Sequence, residues 1–355
     1  MTLFEYEPGE TPKTGSKHGA VLATFGVGLI FLLWLIAGGY AVRTAAQQTP
    51  EFARLDPHIR QKLAGIDPEE AHDVVWLGTS RIFRQIDAGA LSERCGADMY
   101  NAGAGGANAA NIRFMLDWML DQPSQPRTIW IEPTGVANAG IPRTARARYL
   151  APDWQPAYLR SSLLDAERAE DVSESELQYD IFLHSISSFF LTGVVHELVK
   201  ERPLESIDNI GVRGFTRLDA DGGRRNPRAA KLQRLLEEDP DLFQAYFEDQ
   251  AAALGGLSQD DAAADALNFA RPILSGLTTE ELSRVGLIFP PKSGHSQLPL
   301  TELTVRGVDI PVLTFPLADH GFLADSDYWF DEGHLSGEGA DLLAQSIARR
   351  ICGAG

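Results

Sequence analysis

The chain has 355 residues, a net charge of −18 and an apolar fraction of 44%. That length holds one large domain with insertions or two modest ones, and that apolar content is ordinary for a globular core. The acidic balance speaks against a broad basic face for nucleic acid or an anionic membrane surface. The two cysteines, Cys95 and Cys352, are too few for a disulfide scaffold and carry no metal-ligand spacing.

Residues 1–18 are polar and read as a tail. Gly19 to Val42 contains no charged residue, so as a helix it is long enough to cross ~30 Å of hydrocarbon. The expectation is one transmembrane helix over 19–42, with Trp34 and Tyr40 near its far interface. The rival is a cleaved signal peptide cut near Ala45-Ala46, whose apolar region would ordinarily be shorter, roughly 7–15 residues. Lys13 and Lys17 precede the span and Arg43, Arg54 and Arg60 follow it, so the positive-inside count does not choose an orientation.

Residues 43–72, with Pro50, Pro57 and Pro68, read as a linker with short helical pieces. The apolar run Val74-Val-Trp-Leu77 suits a strand buried on both faces of a parallel sheet, and Gly78 permits a sharp turn at its end. Ser80 then stands at the carboxyl edge, where open α/β sheets bind ligands. It is either a nucleophile or a turn or N-cap serine. Asp87 can cap a helix over Ala88–Cys95 that Gly96 closes. A short strand over 97–101 leads into Asn101-Ala-Gly-Ala-Gly-Gly106, a loop almost without side chains. Such a loop is either a flexible turn or a backbone cradle. It lacks the spacing of a dinucleotide fingerprint. Asn108 offers an N-cap, and Ile112, Met115, Leu116 and Met119 share one helical face that ends before Pro123. Thr128–Ile131 is a third buried strand, followed by Glu132-Pro-Thr-Gly-Val-Ala-Asn138. Strand, helix, strand, helix, strand is the signature of a doubly wound parallel sheet.

Residues 142–282 read as a largely helical insertion. Asp180, His184 and His196 interrupt the apolar stretch 173–200 and argue against a second span. The two histidines lie too far apart on a helix to share a metal, and both read as ordinary. Val212–Leu218 alternates apolar and polar and suggests a hairpin strand turning at Asp221-Gly222-Gly223. Arg224, Arg225 and Arg228 form a small basic cluster, either solvated surface or a contact for an anionic polymer.

Val285–Phe289 is a fourth strand, stopped by Pro290-Pro291, with Lys292, Ser293 and His295 on the loop beyond. Ile310–Phe315 is a fifth. Ser336 can cap a final helix to Arg350, with Glu338 in its first turn and Arg349-Arg350 in its last, as the helix dipole favours. Asp331 and His334 lie on the loop before that helix, which opens on the same edge as Ser80. They are either chance neighbours on a surface loop or an acid–base pair.

Gly-Thr-Ser80 after the first strand, the glycine-rich loop after the second and Asp331-x-x-His334 before the last helix together resemble the SGNH/GDSL hydrolase superfamily. The resemblance covers roughly residues 73–140 and 283–352. It is to the membrane-anchored branch, similar to proteins of alginate O-acetylation and teichoic-acid D-alanylation. It implies an α/β, doubly wound, mostly parallel five-stranded sheet of flavodoxin-like order, with Ser80 as nucleophile, His334 as base and Asp331 orienting it. The oxyanion hole it implies is the backbone N–H of Ser80 and of Gly106, with Asn138 as a third donor. Two positions depart from the pattern. Thr79 replaces the usual Asp, and Val136 stands where the third-block Asn would fall, with Asn138 two residues late.

The resemblance further implies a cytoplasmic tail over 1–18 and a main domain over 73–355 in the periplasm or outside the cell. The activity implied is a serine esterase or O-acyltransferase acting on acyl, first of all acetyl, groups of an envelope or exported polysaccharide. The partners implied are an acylated glycan and a membrane acyl-transfer protein, with no nucleic acid, cofactor or metal. A catalytically degenerate glycan-binding or assembly subunit is the alternative. A metal hydrolase is a poor third, since no spacing suggests a set of metal ligands. In this topology the helix after strand one and the final helix share a face of the sheet and end at its amino edge. Cys95 and Cys352 sit at those ends and could pair in an oxidising compartment.

Overall fold

The computed structural model describes residues 17–47, 57–133, 212–218, 227–248 and 258–353, apart from scattered positions within those ranges. In chain order the elements begin with helices α1 (Lys17–Gln47) and α2 (Pro57–Ala64). Strand β1 (Val74–Leu77) leads into α3 (Ser80–Gln85) and α4 (Ala88–Cys95). Next come β2 (Met99–Asn101), α5 (Ala109–Leu120) and β3 (Thr128–Ile131). After them lie α6 (Pro227–Glu238), α7 (Gln259–Leu274) and α8 (Thr279–Leu282). Strands β4 (Val285–Ile288), β5 (Glu302–Val305) and β6 (Val308–Leu313) follow. The chain closes with β7 (Trp329–Asp331), β8 (His334–Leu335) and α9 (Gly337–Ile351).

The protein is α/β, with a mostly parallel six-stranded sheet in the order β2-β1-β3-β4-β6-β5. The first five of these are the five expected strands, in flavodoxin-like order. Strand β1 lies centrally, pairing in parallel with β2 (Val75↔Tyr100) and β3 (Val75↔Ile129). Its Val75, Trp76 and Leu77 are fully buried. Each such side chain contributes about 1.5–3 kcal/mol by leaving water. Helices cover both faces. Ile59 and Leu63 of α2, Ile112 to Met119 of α5 and Ala266 to Leu274 of α7 pack with Val75 and Leu77 on one side. Ile82 of α3, Leu91 of α4 and Leu343 to Ile347 of α9 pack with Trp76 on the other.

Several caps follow the sequence expectation. Asp87 accepts from the Ala90 N–H to start α4, and Gly96 ends it in the left-handed conformation (φ 62°). Ser336 caps α9 through the Gly339 N–H.

Four features differ from the expectation. The sixth strand, β5, pairs antiparallel with β6 through a two-residue turn, Arg306-Gly307, both at positive φ. Only Leu303 of β5 is buried, so this edge strand carries little apolar pattern. The Arg306 guanidinium donates to the Leu277 carbonyl, which helps hold the left-handed arginine. Second, the 43–72 stretch is more than a linker, because Ile59 and Leu63 of α2 join the core, as does Ile66 just beyond it. Third, α7 and α8, inside the 142–282 stretch, belong to the sheet's core through Ala270, Ile273 and Leu282, with Leu277 of the turn between them. Fourth, residues 212–218 form a single 3-10 turn and an extended piece, with Arg213 left-handed, rather than a hairpin strand. Backbone bonds from Thr216 to Phe83 and from Gly337 to Leu218 tie this piece across α3 and the start of α9. His184, His196, Arg224 and Arg225 lie outside the described residues.

Helix α1 spans 31 residues, and Val21, Leu22, Phe25, Ile30, Phe31, Leu33 and Trp34 on it are exposed. Among the described residues no helix is long and apolar enough to cross a membrane.

Lys62 of α2 is fully buried. Its ammonium donates to the carbonyls of Asn101 (3.0 Å) and Gly214 and lies 4.1 Å from the centre of the Phe83 ring. Burial, assisted by the nearby Arg84 charge, lowers its pKa to about 6. The folded state therefore holds this proton more weakly than the unfolded chain, and stability rises with pH between about 6 and the unfolded pKa near 10.4. Between pH 7 and 9, chemical denaturation should show stability rising by up to about 1.4 kcal/mol per pH unit, and Lys62→Met should flatten that slope.

Cys95 and Cys352 form a disulfide, with Cα atoms 5.5 Å apart, at the amino edge of the sheet. It joins the ends of α4 and α9. Unreduced, denatured protein should expose no titratable thiol, and Cys95→Ala/Cys352→Ala should lose about 2–5 kcal/mol in denaturant unfolding.

Candidate active site

Strand β1 ends at Leu77, and after Gly78 and Thr79 α3 begins at Ser80. A Cβ at Gly78 would lie 2.5 Å from Ile82 Cγ1 and 2.6 Å from the Glu132 carboxylate, so only glycine fits this turn. Thr79, not Ser80, is the N-cap: its hydroxyl accepts from the Arg81 N–H. Ser80 is thereby placed at the first helical position, half-buried, at the carboxyl edge of the central strand. There its N–H has no acceptor within the helix, and the helix dipole favours negative charge beside it.

The second half of the site is a local hairpin. Strands β7 and β8 pair Asp331 directly with His334 across the Glu332-Gly333 turn. The Gly333 N–H donates to Asp331 Oδ1 (2.8 Å), closing the turn. His334 Nδ1 lies 2.8 and 3.0 Å from the two carboxylate oxygens. Its Nε2 lies 2.9 Å from Ser80 Oγ. Asp331 and His334 are buried. Burial alone would raise the Asp331 pKa, but the His334 hydrogen bond and charge, with the Gly333 and His334 N–H groups, hold it below the usual carboxylate range. Asp331 therefore stays ionised at neutral pH. It favours the tautomer with Nδ1–H facing it, leaving Nε2 to accept the serine proton.

Two further residues build the site, Glu132 and Gln85, and neither is singled out as functional by the sequence pattern. Glu132, at the end of β3, is fully buried. One of its oxygens accepts from the Thr79 N–H (2.7 Å) and the Thr79 hydroxyl (2.8 Å). The other forms an ion pair with Arg81 at 2.7 Å. Gln85, buried at the end of α3, donates to the carbonyls of Gly333 (2.9 Å) and Pro291 (3.3 Å). Helix α3 thus presents Ser80 at one end and holds the Asp331–His334 hairpin with the other. A glutamine one turn from a buried apolar face has no distinctive sequence signature. Glu132 had one, a carboxylate abutting a wholly apolar strand.

The glycine-rich loop packs along α3. Asn101 donates to the carbonyls of Ile82 (2.7 Å) and Ile86 (2.6 Å) and accepts from the Gly103 N–H. A Cβ at Gly103 would lie 2.5 Å from the Phe83 nitrogen. The Ala104 N–H donates to the Gly78 carbonyl at 3.0 Å, which sets the loop beside the strand end before Ser80. Gly106, expected as an oxyanion donor, sits exposed at the tip of the turn from Ala104 to Ala107 with φ 73°. Asn138 and His295 lie outside the described residues. Lys292 is exposed on the loop after β4, and Ser293 donates to the Glu332 carbonyl (2.5 Å).

No protein-family model matches this chain, and no curated protein sequence matches it either. Among the described residues no group of three or more His, Cys, Asp or Glu is arranged to hold a metal ion.

The assembled groups suit nucleophilic chemistry: a hydroxyl, a base in contact with it and a carboxylate behind the base. Asp331→Asn keeps the shape but removes the charge that holds the tautomer. It should slow covalent labelling of Ser80 by a fluorophosphonate by about 10²-fold or more at neutral pH, followed by in-gel fluorescence against time. Near-wild-type labelling would sink the role of Asp331.

Proposed function

We propose that this protein is a membrane-anchored, SGNH-like serine esterase or O-acyltransferase acting on acyl groups, first of all acetyl, of an envelope or exported polysaccharide. The observation that carries the chemical half of this reading is the continuous Ser80–His334–Asp331 contact. It joins residues 254 positions apart. Two weak local signals meeting across that separation at hydrogen-bond distance are far more specific than either alone.

The steps follow from the geometry. Ser80 Oγ attacks the ester carbonyl carbon as His334 Nε2 takes its proton. The carbonyl oxygen gathers negative charge at the start of α3, where the Ser80 N–H is placed to receive it. The C–O bond to the sugar breaks as His334 returns the proton to the departing oxygen. Water or a second sugar hydroxyl then attacks the acyl-serine carbonyl carbon as His334 takes its proton; the C–O bond to Ser80 breaks and His334 returns the proton to Ser80 Oγ. Hydrolysis and transfer differ only in that last nucleophile.

The location half of the reading rests on other features. The uncharged 19–42 segment, lying within α1 with most of its described apolar side chains exposed, supports an anchor. The Cys95–Cys352 disulfide supports an oxidising compartment for the domain. The glycan substrate, a membrane acyl-transfer partner and the 1–18 tail on the cytoplasmic side come from the superfamily resemblance.

The full-length chain in detergent micelles should hydrolyse a chromogenic acetyl ester, and Ser80→Ala should reduce the rate by at least about 10³-fold. Equal rates in the two proteins would end the serine mechanism. A chain that binds an acetylated glycan without any labelling of Ser80 would favour the binding-subunit alternative.

A further inference from the structure

We infer that Glu132 is the positioning residue of the nucleophile, closing a ring of hydrogen bonds around Ser80 that reserves the Ser80 N–H for the oxyanion. The inference rests on the serine-esterase reading and assigns a role that the triad itself leaves open.

The ring closes on itself. Glu132 accepts from the N–H and hydroxyl of Thr79. Thr79 Oγ1, its proton committed to Glu132, accepts from the Arg81 N–H at 3.2 Å. The Arg81 guanidinium returns to Glu132. Ser80 is the residue enclosed between the two that Glu132 holds. The Phe83 N–H goes to the Thr79 carbonyl. Thus the amides of Thr79, Arg81 and Phe83 around this turn have protein acceptors, while that of Ser80 stands where the helix offers none. Without the carboxylate, the Thr79 amide and hydroxyl would compete for the same incoming negative charge, and the turn would lose the anchor that fixes its pitch.

Charge explains why a carboxylate serves here and why it is paired. A lone buried carboxylate beside the forming oxyanion would oppose the reaction. Arg81 neutralises it, so the ring orients without adding net charge. Thr79 and Arg81, the two neighbours of the nucleophile, thereby have one shared function.

The test uses the full-length chain in detergent, with the second-order rate of fluorophosphonate labelling measured from pH 5 to 9. Ser80→Ala serves as blank, and thermal melts verify folding. Glu132→Gln keeps the shape but removes the negative charge beside Arg81. Labelling should slow by about tenfold to a hundredfold. The lost negative charge should also disfavour the imidazolium and move the acidic limb down by about half a unit to one unit. Glu132→Gln/Arg81→Gln should return the acidic limb to its wild-type position while the rate stays low. A purely structural role would slow labelling only as folded protein is lost and would leave the limb in place, and that result overturns the inference. So does a Glu132→Gln rate within about twofold of wild type. If Glu132→Gln does not fold, Thr79→Val carries the test: it keeps the charge but cuts the ring, and must slow labelling several-fold without moving the limb. Wild-type protein that never labels at Ser80 overturns the esterase reading and this inference together, whereas normal wild-type labelling with unaffected variants overturns this inference alone.

Discussion

The turn between β1 and α3 is the constraint on which the site depends. A strand buried on both faces must give way to a helix within two residues, in a space where even a methyl group at Gly78 would strike Ile82 and Glu132. That confinement puts Ser80 at the open carboxyl edge while its neighbours stay locked. The rest of the architecture feeds this turn. Parallel neighbours β2 and β3 hold β1 rigidly. The glycine-rich loop braces α3 from one side through Asn101 and Gly103. Gln85 ties the far end of the same helix to the hairpin carrying the base.

Burial and polarity are balanced here in an unusual way. Glu132 and Lys62 are both fully buried ionisable groups on or beside the sheet. Buried charges are tolerated only where hydrogen bonds and partners replace water. Glu132 has a cation and two donors. Lys62 has two carbonyls and an aromatic face, but its other close charge, Arg84, has the same sign, which fits its depressed pKa. One carboxylate stays matched to its surroundings, while the lysine remains a proton-dependent weak point joining α2 to the segment at Gly214.

The disulfide and α9 link the two edges of the sheet. Helix α9 starts directly after the His334 hairpin and ends at Cys352, bonded to Cys95 at the amino edge. Arg350 near its end donates to the Thr314 and Val312 carbonyls at the close of β6. The hairpin therefore sits on a helix fastened at its far end by a covalent bond.

Much of the fold was legible because its signals are local. Five buried strands announce themselves as short apolar runs, and Asp87, Gly96 and Ser336 mark helix ends by hydrogen-bonding chemistry confined to a few residues. The Asp331–His334 contact is local too, since a two-residue turn sets those side chains opposite one another. The edge strand β5 escaped notice because only one of its side chains is buried, and the 212–218 alternation misled because that piece finds its backbone partners in α3 and α9 rather than in a strand. The contact of Ser80 with His334 was decided only by the tertiary structure, as were the ring through Glu132, the grip of Gln85 and the burial of Lys62. Each depends on where distant segments come to rest, and side-chain type along the chain carries no record of that distance. Residue identity alone set which groups could do chemistry. Packing of β1 between its neighbours set which of them meet.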